Sequence, residues 1–197
     1  SSNVMENLGI KFTTDNDHLN RCVDQAGIAI LHAPLFHPAM KHVGPIRQGM
    51  QVKTVFNILG PLLNPSRPTR QVAGVYKESL IPLYKAVFED RKMEYAIVFA
   101  KDGYDEVSLT GDFIVETKEG QQRISPHEIK MPTVDRIDLY GGKSVEDAAD
   151  IFVEILKGNG TEEQSNVVAV NAGLAIQRFK PKVSLLDCIE EAKERKK

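Results

Sequence analysis

The sequence predicts a mixed α/β fold, with a mostly parallel central sheet flanked by helices. Three observations predict it. Residues 95–100 read YAIVFA, a continuous apolar run typical of a strand covered on both faces. Strand-like runs alternate along the chain with capped amphipathic stretches, the pattern of strands and helices layered on one another. Two short strand-like runs, 113–117 and 121–124, flank Lys118-Glu119-Gly120 and read as a β-hairpin. A hairpin brings antiparallel pairing, so the sheet is mixed.

Taken in order, residues 4–8 close on Gly9 and read as the last turns of a helix. Asp15 or Asp17 caps a helix running to about Gln25, and Gly27 ends it. Residues 28–31 form a short apolar run that reads as a buried strand. Residues 70–76, RQVAGVY, read as a strand. Ser79 caps a helix whose apolar positions are Leu80, Leu83, Tyr84, Val87 and Phe88, with Pro82 tolerated in its first turn. Ser144 caps a helix through Lys157 with Val145, Ala148, Ala149, Phe152, Ile155 and Leu156 inward, and Gly158 stops it. Thr161-Glu162-Glu163-Gln164 is a capping-box pattern. It opens a helix whose VVAVNAGLAI run is apolar nearly all round, hence central and buried. A final amphipathic helix starts at Ser184 and runs to about Lys193.

The 197 residues are 42% apolar and 26% charged, which suits one globular domain or a large domain with a small appendage. A chain of this length buries roughly 70% of its unfolded surface without a disulfide or metal staple. The net charge of −2 and pI of about 6.2 give no basic face, so nucleic acid is not an expected partner. Cys22 and Cys188 lack zinc spacing and read as reduced thiols of a cytoplasmic protein. No apolar run approaches the roughly 18 residues of a membrane span, and no signal-peptide pattern is present.

Two stretches carry candidate chemistry. Residues 32–65 hold five of the ten prolines and three of the five histidines. The segment is too broken for one helix and too apolar for a linker, so short helices and sharp bends are expected. Arg47 stands in it as a cation in a largely apolar setting. Its fork suits a bidentate hold on a carboxylate or phosphate; a solvated surface arginine is the competing reading. The second stretch, Asp102-Gly103-Tyr104-Asp105-Glu106, follows directly on the 95–100 strand. Ligands gather at the carboxyl ends of strands in open α/β sheets. Adjacent carboxylates there suit magnesium, which takes one or two carboxylates and fills its shell with water and phosphate oxygens. A plain solvated turn is the alternative. Asn171, inside an apolar helix, needs hydrogen-bond partners and reads as structural, holding a nearby loop.

The motifs resemble those of the anthranilate phosphoribosyltransferases of tryptophan biosynthesis. Ala33-Pro34, Phe36-His37-Pro38-Ala39-Met40, Pro45-Ile46-Arg47 and Phe56-Asn57-Ile58-Leu59-Gly60-Pro61-Leu62 with Asn64-Pro65 match that family's signature segment. Gly103-Tyr104-Asp105-Glu106, with Ser108 and Gly111, matches its acidic turn, although Phe99-Ala100 stands where relatives often have His-Gly. The resemblance implies a phosphoribosyltransferase or nucleoside-phosphorylase-like C-terminal domain that transfers phosphoribosyl from phosphoribosyl diphosphate to anthranilate. It implies Mg2+ on Asp105 and Glu106, the anthranilate carboxylate on Arg47, an acceptor path along Pro34, His37 and Met40, and diphosphate contact at Ser1. Residues 1–9, SSNVMENLG, resemble the end of the family's second substrate motif, Gly-Ser-Ala-Asp-x-Leu-Glu-x-Leu-Gly, with Asn3 in place of its aspartate. His32 and His42 are given no role. The family's Gly-Thr-Gly-Gly-Asp loop and Lys-His-Gly-Asn-Arg stretch do not occur in these residues. The resemblance therefore implies an incomplete C-terminal α/β domain over 1–197, inactive alone, with 32–65 as a Pro-rich hinge against an N-terminal helical domain, and a homodimeric parent. A pyrimidine nucleoside phosphorylase-like paralogue and a non-catalytic binding module of the same fold are the alternatives.

Overall fold

The apolar run at 94–100 builds the centre of the sheet. In a computed structural model, which describes residues 2–37 and 56–194, it forms strand β2 (Glu94–Ala100), paired on one side with β1 (Arg70–Gly74) and on the other with β3 (Phe113–Thr117). β4 (Gly120–Ile124) completes the order β1-β2-β3-β4. The sheet is mixed, as the hairpin foretells. The expected predominance of parallel pairing is corrected, however: among the described residues only β1–β2 is parallel, from Arg70↔Glu94 to Gly74↔Val98, and β2–β3 and β3–β4 are antiparallel. Strand composition does not report direction, because a strand buried on both faces reads the same in either kind of ladder.

Contacts divide the chain into two compact units, Ser1–Ser66 and Arg67–Lys197. The second unit holds the sheet. Side chains alternate along β2, as the pleat requires. Ala96, Val98 and Ala100 join a core with Phe113, Val115, Ala169, Val170, Leu174 and Ile189. Tyr95 turns to the other face, its ring centroid 5.5 Å from that of Phe88. Phe88 belongs to α5 (Ile81–Asp90), which buries Ile81, Tyr84 and Phe88. Lys85 of this helix reaches the buried Glu116 of β3 at 2.7 Å. Ser79 does not cap α5. It lies within a 3-10 turn, Glu78–Leu80, and Leu83 is exposed.

Helix α6 (Val145–Leu156) is capped by Ser144, whose side chain accepts from the Asp147 N–H. Ala149 is its buried residue, whereas Val145 and Leu156, expected inward, are exposed. Helix α7 (Glu162–Phe179) begins with the full Thr161–Gln164 capping box and buries Asn166, Ala169, Val170, Gly173 and Leu174. It packs on β1, β2 and α8 (Leu185–Glu194). It is central but not enclosed all round, since Val168 and Phe179 are exposed.

In the first unit, α1 (Ser2–Asn7) is followed by Gly9, and α2 (Asn16–Ala26) is capped by the Asp15 side chain and ended by Gly27 at φ +72°. Residues 28–31 are not a strand. They have no ladder partner among the described residues, and Ile28 is 65% exposed. In the Pro-rich segment, α3 (Ala33–Phe36), α4 (Phe56–Leu59) and a 3-10 turn, Pro61–Leu63, are the expected short helices.

Candidate functional site

The acidic turn leaves the carboxyl end of β2 and is tied down along its length. The Gly103 N–H donates to the Ala100 carbonyl at 2.9 Å, and the Ala100 N–H donates to the Tyr104 carbonyl at 3.1 Å. The Asp105 carbonyl lies against β1: a Cβ added at Gly74 would overlap that oxygen. One residue past the acidic pair, the Val107 N–H donates to Asn171 Oδ1 at 3.1 Å, and Asn171 Nδ2 donates back to the Val107 carbonyl at 2.8 Å. The same Nδ2 donates to the Val167 carbonyl at 2.9 Å within α7. Asn171 thus holds a loop, as its position inside an apolar helix demands. Leu109, fully buried, sits at φ +59°, a conformation that branched apolar residues seldom adopt. Its carbonyl accepts from the Val134 N–H at 3.0 Å.

Asp105 and Glu106 both reach solvent at the edge of this turn. Partial withdrawal of the Glu106 carboxyl from water, and then the charge of Asp105, push its pKa up. Asp102 is more enclosed. Ser108 donates to its Oδ2 at 3.3 Å, while its Oδ1 is buried and has no hydrogen-bond partner among the described residues. Arg136 braces the turn by donating to the Asp102 carbonyl at 3.0 Å, its guanidinium 5.6 Å from the Tyr104 ring centroid. Negative charge is therefore concentrated on a fixed backbone. Hard oxygen donors, with a raised proton affinity at Glu106, fit a hard divalent cation held by two side chains. Among the described residues no group of three or more His, Cys, Asp or Glu is gathered for a metal, so the rest of such a cation's shell would come from water or substrate.

The other sequence candidates lie in the first unit. Ser1, Met40 and Arg47 fall outside the described residues. Pro34 is exposed in the first turn of α3, and the His37 N–H donates to the Ala33 carbonyl at 3.0 Å as that helix ends. His32 stacks on Phe12, with centroids 4.2 Å apart, and its Nδ1 lies 3.3 Å from Ser2 Oγ. The two rings help line an open cleft of about 570 Å³ with Glu6, Ile10, Lys11 and Leu35. Sequence reasoning missed this cleft, and it missed Gly74 and Arg136. Gly74 did leave a signal: a glycine at the end of a strand pattern marks a close backbone approach.

Comparison with known proteins gives a consistent picture. The family model described as "Glycosyl transferase family, a/b domain" matches residues 1–196. An anthranilate phosphoribosyltransferase of Flavobacterium psychrophilum is 49% identical over 89% of this chain and 53% of its own length. The crystal structure of the Thermus thermophilus anthranilate phosphoribosyltransferase superposes with a TM-score of 0.86 at 28% identity, covering 98% of this chain and 58% of that one. The Saccharomyces cerevisiae enzyme in complex with PRPP and Mg gives 0.81 at 25% identity, covering 98% and 55%. The chain thus spans little more than half the length of these relatives. None of the three is a nucleoside phosphorylase.

Proposed function

Because the chain belongs to the glycosyl transferase family through its a/b domain, we propose that it forms the α/β part of an anthranilate phosphoribosyltransferase and carries the metal–diphosphate half of that site. One observation carries the reading. Two adjacent carboxylates, Asp105 and Glu106, are presented to solvent on a backbone braced beside the carboxyl end of β2. That is where an open α/β sheet places its ligand.

In the proposed reaction the anthranilate amine forms a bond to ribose C1 as the bond from C1 to diphosphate breaks. The amine proton is then lost. The displacement passes through an oxocarbenium-like state, as in glycosidic cleavage. The amine is already nucleophilic, so the protein's work is positioning and charge stabilisation. Asp105 and Glu106 would hold Mg2+, which neutralises charge on the departing diphosphate. Arg47 would fix the acceptor through its carboxylate, with Pro34, His37 and Met40 along the acceptor's path and Ser1 on the diphosphate. The 32–65 segment would act as a hinge. A cytoplasmic, homodimeric protein completes the reading. The free Cys22 and Cys188 fit a reducing compartment, and no helix of the described residues is long and apolar enough to cross a membrane.

Equilibrium dialysis of phosphoribosyl diphosphate against the 197-residue chain tests the proposal. Retention that requires magnesium is expected. Retention unchanged when magnesium is chelated would overturn it.

A further inference from the structure

The three peptide planes that bracket Asp105 and Glu106 are each held by a different element. The plane between residues 104 and 105 is fixed by β2, through the Ala100 N–H on the Tyr104 carbonyl at 3.1 Å. The plane between 105 and 106 is seated on β1, where the Asp105 carbonyl occupies the space that Gly74 leaves by lacking a Cβ. The plane between 106 and 107 is fixed by α7, through Asn171 Oδ1 on the Val107 N–H at 3.1 Å. Asn171 also grips the following plane through the Val107 carbonyl at 2.8 Å. Holding the two planes on either side of a residue fixes its φ and ψ, and with them the direction of its Cα–Cβ bond. Asp105 and Glu106 both meet that condition.

We infer that Gly74 and Asn171 are positioning residues that preset the two carboxylates for a divalent cation carrying a diphosphate. Neither residue reaches the ligand. Gly74 acts by what it omits, since any larger residue there pushes the Asp105 carbonyl away. Asn171 acts as a two-pronged brace whose orientation is itself locked by its bond to the Val167 carbonyl at 2.9 Å. A site preset in this way binds without ordering its own backbone, which is where affinity is otherwise lost. The inference rests on the metal–diphosphate reading of Asp105 and Glu106.

The test is calorimetric titration of magnesium with phosphoribosyl diphosphate into the 197-residue chain and its Asn171→Ala, Gly74→Ala and Phe88→Leu variants. Thermal melts and hydrogen exchange at the Val107 amide accompany it. Phe88→Leu perturbs the buried Tyr84–Phe88–Tyr95 ring cluster and controls for general destabilisation. Asn171→Ala and Gly74→Ala are each expected to weaken binding by about 10- to 100-fold, the usual loss when a partner behind a metal ligand is removed. Asn171→Ala also speeds exchange at Val107, while Phe88→Leu lowers the melting temperature and leaves affinity unchanged. If Asn171→Ala does not fold, the folded Gly74→Ala variant decides by itself, with the same expected loss of affinity. Full affinity in folded Asn171 and Gly74 variants overturns the inference while leaving the site reading intact. Equal losses in Phe88→Leu also overturn it. No binding by the unaltered chain overturns the site reading and this inference together.

Discussion

Glu106 is a carboxyl partly withdrawn from water, with one neighbouring negative charge, Asp105, beside it. Both effects raise its pKa above the ordinary value near 4.5. For an acid whose folded pKa is raised, the folded state binds more protons than the unfolded one across the interval between the two values. Stability therefore falls as pH rises through that interval, and the penalty persists at neutral pH. Glu106→Gln is accordingly expected to raise the melting temperature of the metal-free chain at pH 7. The gain should vanish at a pH below the ordinary Glu value, as read by thermal melts at both. A cation at the turn relieves the same penalty, so magnesium should stabilise the unaltered chain more than Glu106→Gln. Asp105 and Glu106 were legible as a candidate because carboxylates directly after a buried strand are chemically conspicuous. What holds them was less so. Asn171 announced a need for partners without naming Val107, 64 positions away. Asp102 looked equivalent to its neighbours until its enclosure by Ser108 and Arg136 set it apart.

At the scale of elements, local signals worked where the structure is local. Asp15, Ser144 and Thr161 each accept from backbone N–H groups of the first turn that follows, so cap residues read from sequence became caps in fact. Thr161→Ala removes half of the capping box on α7, the helix that also carries Asn171. It should cost about 1 kcal/mol, measurable as a lower urea midpoint at unchanged slope. The failures share one cause. Residues 28–31 have a strand's composition, but a strand exists only with a partner, and none pairs with it among the described residues. Ser79 has a cap's chemistry, but a 3-10 turn carries the chain past it before α5 begins. On α6, Val145 and Leu156 follow helical spacing, yet they sit at the helix ends, where the neighbouring core gives out. Strand direction was equally out of reach, because it is decided by how the chain returns between strands.

For the whole molecule, the second unit has the stronger core, with Tyr84, Phe88, Tyr95, Phe113 and Leu174 all fully buried. Phe88→Ala should therefore destabilise it by about 3–5 kcal/mol, read by chemical denaturation with a probe in that unit. The mixed α/β architecture followed from the apolar run of β2 and the hairpin beside it. The proposed function rests on motif residues, since layers of helix and sheet host many chemistries. The family's glycine-rich phosphate loop does not occur in these 197 residues, so the chain by itself is expected to bind the metal–diphosphate unit without transferring phosphoribosyl to anthranilate in a product assay. The most direct test of the central claim is calorimetric titration of magnesium with phosphoribosyl diphosphate into the unaltered chain and into Asp105→Asn. The account predicts binding heat from the first and none from the second. Equal heats from the two proteins, or none from either, would contradict it.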